Sequence, residues 1–159
     1  MKINITDFWT KEHYINPPLT DEAVLNAEIF FNVKFPDLLI RLLKIQNGGY
    51  NKGFVFPMAV PTSYDENCVP FPDMNGIVLK PNNQTIHNFL VDLSFANELG
   101  LPKKQIPLSG DGHYFVTLDY REGDIPTIRW IDTEMKQDIH IANSFDEFFN
   151  GLVSEDDYL

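Results

Sequence analysis

The sequence predicts an α+β domain, with helices packed on an antiparallel β-sheet. Three observations carry that expectation. Residues 20 to 45 repeat apolar side chains at helical spacing; from Ile106 the apolar period falls to two, that of a strand; and Ser144 and Glu147 have capping-box spacing before an aromatic helix. Helices and strands come in runs rather than in strict alternation, which separates them into layers. At 159 residues the chain has one domain's length, and its 43% hydrophobic content, with 13 Phe, 6 Tyr and 2 Trp, supplies a core.

The first helix follows Pro17 and Pro18. Thr20 is its N-cap, Asp21 and Glu22 fill the first turn where the helix dipole favours negative charge, and Val24, Ala27 and Phe31 mark its apolar face. The pair Phe30 and Phe31 is expected in the core, as are Phe148 and Phe149. After a short link, Pro36 suits a first helical position. Leu38, Leu39, Leu42, Leu43 and Ile45 continue a stripe that Asn47, Gly48 and Gly49 end.

Gly53 to Phe56 is a short apolar run. Residues 57 to 75 then carry four prolines, which remove backbone donors, so this stretch reads as a loop or a sheet edge. Gly76 to Leu79 is expected to be a strand. Phe89, Leu90, Leu93 and Ala96 predict a third helix closed by Gly100 and Pro102. Beyond Ile106 come the alternating run Tyr114 to Asp119, a charged turn at Arg121 to Asp124, then Ile128 to Ile131, and Ile139 with Ile141: adjacent antiparallel strands. Phe145, Phe148, Phe149 and Leu152 form one face of the last helix, and the tail Glu155, Asp156, Asp157 is expected to fray.

Charge narrows the function. The formal net charge is −11 and the sequence pI 4.6; residues 81 to 159 hold 5 basic and 14 acidic side chains, a net of −9. Binding to nucleic acid draws on Lys and Arg displacing counterions, and binding to anionic membranes has the same need, so both are disfavoured. An acidic surface favours a basic protein partner. Cys68 is the single cysteine, which excludes an intrachain disulfide and a multi-cysteine metal site. The first ten residues show no leader pattern and no stretch reaches ~18 apolar residues, so a soluble cytoplasmic protein is expected. On that reading the sequons at Asn4 and Asn83 are chance matches.

The chain lacks GxSxG, a phosphate-binding GxxxxGK[ST], HExxH and GxGxxG. Asp119 with Glu134 and Lys136 resembles the D…ExK arrangement by which nucleases hold magnesium. Against this, Asp132, Thr133 and Glu134 fall at a turn where acidic residues are ordinary, and an acidic nuclease repels its substrate. His13, His87, His113 and His140 share no ligand spacing, and Cys68 has no local base. The stretch Ser109-Gly110-Asp111-Gly112-His113 reads as a tight turn that feeds a strand and can also offer contacts to a partner. Trp130 reads as core.

Three patches together resemble the SUKH superfamily, in the Smi/Knr-like branch of the yeast cell-wall synthesis regulator and many bacterial immunity proteins. They are Ala27-Glu28 through Phe35-Pro36 to Asn47-Gly48-Gly49; Gly110-Asp111-Gly112 with Tyr114-Phe115 and Asp119-Tyr120; and Trp130, Asp132 and Glu134 with Ile141-Ala142 and Ser144 to Phe148. Residues 57 to 105 match poorly, and Gly112 is followed by His113 where relatives often extend the glycine run. The resemblance implies one domain over residues 1 to 159, with a core of about 20 to 153. It also implies no catalytic residue and, for bacterial members, neutralisation of a polymorphic toxin.

The leading expectation is therefore an immunity protein that binds a toxin's catalytic domain, a basic nuclease-type domain, through an acidic surface. Glu66, Asp73, Asp111, His113, Tyr114 and Glu134 are the candidate contact residues. This reading needs no cofactor and no metal, and excludes nucleic acid and membrane as partners. The alternatives are an intracellular regulatory or scaffold protein and a small metal-dependent hydrolase using Asp119, Glu134 and Lys136.

Overall fold

The computed structural model describes residues 3–80 and 87–158; the Asn83 sequon lies outside the described residues. After a 3-10 turn at Ile5–Asp7 come α1 (Asp21–Phe31), α2 (Asp37–Ile45), β1 (Gly49–Pro57), β2 (Cys68–Met74), α3 (Phe89–Glu98), β3 (Gln105–Gly110), β4 (Phe115–Asp119), β5 (Thr127–Asp132), β6 (Gln137–Ala142), α4 (Phe145–Gly151), β7 (Val153–Ser154) and α5 (Glu155–Tyr158). The strands form two antiparallel sheets, in the orders β2-β1-β7 and β3-β4-β5-β6, so the fold is α+β.

The expected caps form. Thr20 Oγ1 accepts the Ala23 N–H at 3.1 Å, and Asn32 closes α1 in the left-handed region at φ 54°. Ser144 Oγ accepts the Glu147 N–H, and Glu147 Oε2 reaches back one residue further than a capping box requires, to the Asn143 N–H. Pro36 precedes the first helical residue rather than occupying it.

In α2 the buried stripe is Leu39, Leu42 and Leu43. On α1 the expectation for Phe30 is corrected: Phe31 packs against the core, but Phe30 is 60% exposed, and Leu25 and Ile29 on the same helix are exposed too. Apolar side chains fall on two sides of this helix, Val24, Ala27 and Phe31 on one and Leu25, Ile29 and Phe30 on the other, so spacing alone cannot choose its buried face. The choice falls on the side of Ala27, whose small side chain lets α1 approach the core closely.

Prolines mark an edge, as the composition suggests: Pro70 and Pro72 lie in β2, at the rim of the first sheet. Pairing between β1 and β2 jumps from Tyr50↔Asp73 to Phe54↔Phe71, and Asn51 Nδ2 bridges the irregularity to the Phe71 carbonyl at 2.7 Å. The expected strand at Gly76 to Leu79 is absent apart from one isolated bridge, Gly76 to Asn88. Side-chain amides replace a strand partner there. Asn47 accepts the Ile77 N–H and donates to the Ile77 carbonyl, while Asn88 donates to the Val78 carbonyl.

Asn75 joins the two sheets. Its N–H donates to the Leu108 carbonyl at 2.7 Å and its side chain to the Pro107 carbonyl at 3.1 Å. The main core lies where α2, α4 and both sheets meet, with Phe148 stacked on Phe56 and edge-on to Phe71. A smaller cluster of Ala96, Leu101, Phe115 and Ile131 lies under α3. Strand β4 is thus covered on both faces, and all five of its residues are buried. The acidic tail does not fray: it forms the single turn α5, whose Tyr158 hydroxyl donates to the Asn67 carbonyl.

Candidate partner-binding surface

Strand register decides which sequence-distant groups meet. Phe115 pairs with Ile131, and Asp132 with Gln137, so the β3–β4 turn and the β5–β6 turn project from the same end of the second sheet. The first turn is tied by its own aspartate: Asp111 Oδ1 accepts the His113 and Tyr114 N–H groups at 2.9 and 3.3 Å. Gly112, at φ 95°, has the conformation that the tight return requires. The second turn is tied in the same way, by the Met135 N–H donating to Asp132 Oδ1. His113 and Glu134 then meet across the gap, Nδ1 to Oε2 3.6 Å, with both side chains more than three-quarters exposed.

Beneath them lies an aromatic floor. Tyr114 stacks on Trp130 at a centroid distance of 4.3 Å and an interplanar angle of 15°. Tyr64, from the loop between β1 and β2, approaches Tyr114 edge-on at 5.6 Å while remaining 56% exposed. The loop is docked there by Ser63, whose hydroxyl donates to Asp132 Oδ2 at 2.5 Å and whose N–H donates to Gln137 Oε1 at 2.7 Å. Gln137 Oε1 also accepts the indole N–H of Trp130.

Asp73, near the end of β2, faces the same region. Its carboxylate accepts the Ser109 hydroxyl at 2.5 Å and lies 3.4 Å from His87 Nε2. Burial raises the Tyr114 phenol above its ordinary range, and the nearby charges of Asp111, Tyr64 and Asp73 add to the shift. The phenol therefore remains a proton donor. Behind Asp73, burial raises the Asp92 carboxyl and the Asp73 charge adds to this, against a lowering contribution from the Asn75 side chain, 2.7 Å away.

Of the sequence candidates, Asp73, Asp111, His113, Tyr114 and Glu134 surround one surface. Tyr114 is buried and serves as its floor. Glu66 is exposed two residues beyond Tyr64, and among the described residues no hydrogen bond or ion pair links it to the turn. Tyr64 and Ser63 were not legible as site residues; the available signal was a lone aromatic within a polar, proline-rich loop.

The D…ExK reading is corrected. Asp119 lies at the opposite end of β4 from Phe115, about 13 Å along the strand at ~3.3 Å per residue, and so far from Glu134 and Lys136. Its carboxylate is 5% exposed and accepts from Arg121 Nε at 2.9 Å and from Gln105 Nε2 at 2.7 Å. Burial alone would raise its pKa; the Arg121 and Gln105 bonds outweigh this and hold it below the ordinary value. Arg121 also bridges to Asp138, which Arg129 contacts as well. Cys68 is buried, and burial, with Asp65 and Glu155 nearby, raises its thiol and keeps it protonated. Among the described residues no three His, Cys, Asp or Glu side chains gather in a metal-binding group, and no helix is long and apolar enough to cross a membrane.

Residues 18–151 match the model of the SMI1/KNR4 family (SUKH-1). The chain belongs to this family. No curated protein and no solved structure matches it. In this SUKH-1 chain the Asn47-Gly48-Gly49 step is a structural hub. Asn47 donates to the Pro17 and Ile77 carbonyls and accepts from the Ile77 N–H, while Gly48, at φ 85°, lies against the Gly76 backbone where any β-carbon would collide. His87 connects this hub to the candidate surface: its carbonyl lies beside Gly48, and its Nε2 is 3.4 Å from the Asp73 carboxylate.

Proposed function

We propose that this SUKH-1 chain is a bacterial immunity protein that acts in the cytoplasm, where it binds the catalytic domain of a polymorphic toxin, a nuclease, and covers its substrate cleft. The convergence of Asp73, Asp111 and Glu134 around the Tyr64–Tyr114–Trp130 aromatics, in a chain of net charge −11, carries this reading. A domain that cleaves nucleic acid needs a basic cleft for phosphate, and an acidic relief with aromatic anchors complements it in charge and shape. Family members bind partners and are generally not enzymes, which accords with an inhibitor that works by occupancy. An interface of standard size, ~1,600 Å² in total, would extend beyond the turn to reach Glu66 and the Tyr64 loop.

Sequencing of the flanking genes, followed by co-expression with a toxin-type catalytic domain found there, tests the proposal. Restored growth, and inhibition of the purified nuclease at one equivalent, are expected. Unabated killing overturns the proposal, and capture of a cellular regulator instead assigns the chain to the regulatory class.

A further inference from the structure

A cavity away from this surface has a lining whose charge is opposite to that of the chain. It has a volume of about 550 Å³ and opens between the α1–α2 link, the α3–β3 link and the β4–β5 turn. Lys34, Lys103 and Lys104 line it, three of the chain's 12 basic residues, and among the described residues Asp124 is the only acidic one on its walls. Among the described residues none of the three lysines forms an ion pair, whereas Arg121 and Arg129 are paired with Asp119 and Asp138.

One residue holds both lysine-bearing walls. The Tyr120 hydroxyl donates to the Lys34 carbonyl at 2.8 Å, and the Tyr120 N–H donates to the Lys104 carbonyl at 2.9 Å. Tyr120 is buried, so the cavity is formed before any ligand arrives. Phe31, Leu93 and Ile106 also line it, as do Asn32 and Asn97, both at exposed positions. The site therefore offers positive charge, an apolar wall and amide groups that can both donate and accept hydrogen bonds.

We infer that this cavity binds a mononucleotide-sized phosphorylated heterocycle. Its volume is in the usual range of small-molecule sites, ~300–1,000 Å³. The lysines would hold the phosphate, the apolar wall would cover the flat ring, and Asn32 and Asn97 would meet the ring's polar edge. A compact anion suits the site better than an extended one. Charge beyond the lysines would meet the field of a molecule at −11, which acts over ~8 Å at physiological salt. The inference is independent of the toxin-binding reading, since it involves a different face and a different ligand.

Calorimetric titration of the full chain with AMP tests it, with adenosine, inorganic phosphate and a polyglutamate peptide as separate titrants. AMP should bind saturably, and adenosine and phosphate each at least about tenfold more weakly, the factor that 1.4 kcal/mol represents. Lys103→Glu and Lys34→Glu, on different walls and both at exposed positions, should each weaken AMP by about tenfold. Their thermal unfolding should match that of the parent chain, which separates lost binding from lost folding. Absence of saturable AMP binding overturns the inference. Equal binding of phosphate and AMP, preference for the peptide, or AMP affinity that survives both substitutions in folded protein does so as well.

Discussion

The Tyr114 ring lies flat on Trp130, centroids 4.3 Å apart, and so fixes the floor of the candidate surface to the core of the second sheet. Trp130 is fully buried, whereas Tyr64, which leans on Tyr114, is mostly open to solvent. Structure and recognition should separate along that line. Trp130→Ala is expected to cost ~3–5 kcal/mol in urea unfolding. Tyr64→Ala should stay within ~1 kcal/mol in the same measurement while weakening partner binding by ~2 kcal/mol in a titration.

The exposed acids should govern encounter. Glu134→Lys reverses an exposed charge that, among the described residues, forms an ion pair only with the exposed His113, so it should reduce the association rate and flatten its salt dependence, with the dissociation rate little changed. Asp111→Asn removes a charge and keeps an oxygen that can accept the two turn N–H groups, whereas Asp111→Lys loses both. Stopped-flow association across a salt series distinguishes these effects.

Two groups of aspartates should respond to acid in opposite directions. Asp119 and Asp138 are held below the ordinary 3.8 because their arginine bonds outweigh burial, so their contribution is complete above that value and is lost as pH falls through their folded values. Arg121→Ala should therefore shift acid unfolding to higher pH. Asp92 is raised, chiefly by burial, so its contribution is complete below the ordinary value and is lost as pH rises through the folded one. Asp92→Asn, which still accepts from Asn75, should be at least as stable as the parent at neutral pH, as measured by unfolding across a pH series.

The Asn47 hub should tolerate little. Asn47→Ala strands the buried Ile77 N–H and the carbonyls of Pro17 and Ile77, which predicts a loss of ~3 kcal/mol or more. Gly76→Ala places a β-carbon against the Asn47 backbone carbonyl and should be as severe, whereas Gly100→Ala, with φ 90° but open space around it, should cost only ~1–2 kcal/mol. Thermal unfolding of the three variants ranks them.

Local chemistry made much of this fold legible. Thr20 and Ser144 declare helix starts because their hydroxyls have one obvious donor to satisfy, and the alternation from Tyr114 to Asp119 declares a strand. What sequence patterns did not reveal depends on long-range partners. Phe30 is exposed because the rest of the molecule selects one of two apolar sides of its helix; Gly76 to Leu79 is not a strand because amides from residues 47 and 88 reach it first. The glycine turn could be singled out as a site, but its meeting with Glu134 needed the register of β4 and β5, and Tyr64 needed the docking of Ser63 on Asp132. The same register separates Asp119 from Glu134.

Asp65, Asp111 and Asp132 each fold their own turn, accepting backbone N–H groups two or three residues ahead. The exposed side chains beside them, at 66, 113 and 134, are not needed for that purpose. Such turns act as interchangeable mounts: the identity displayed at those positions can be rewritten substitution by substitution, at little thermodynamic risk to the frame. Under the proposed immunity role, a lineage facing changing toxins would retune this candidate face without reinventing its fold.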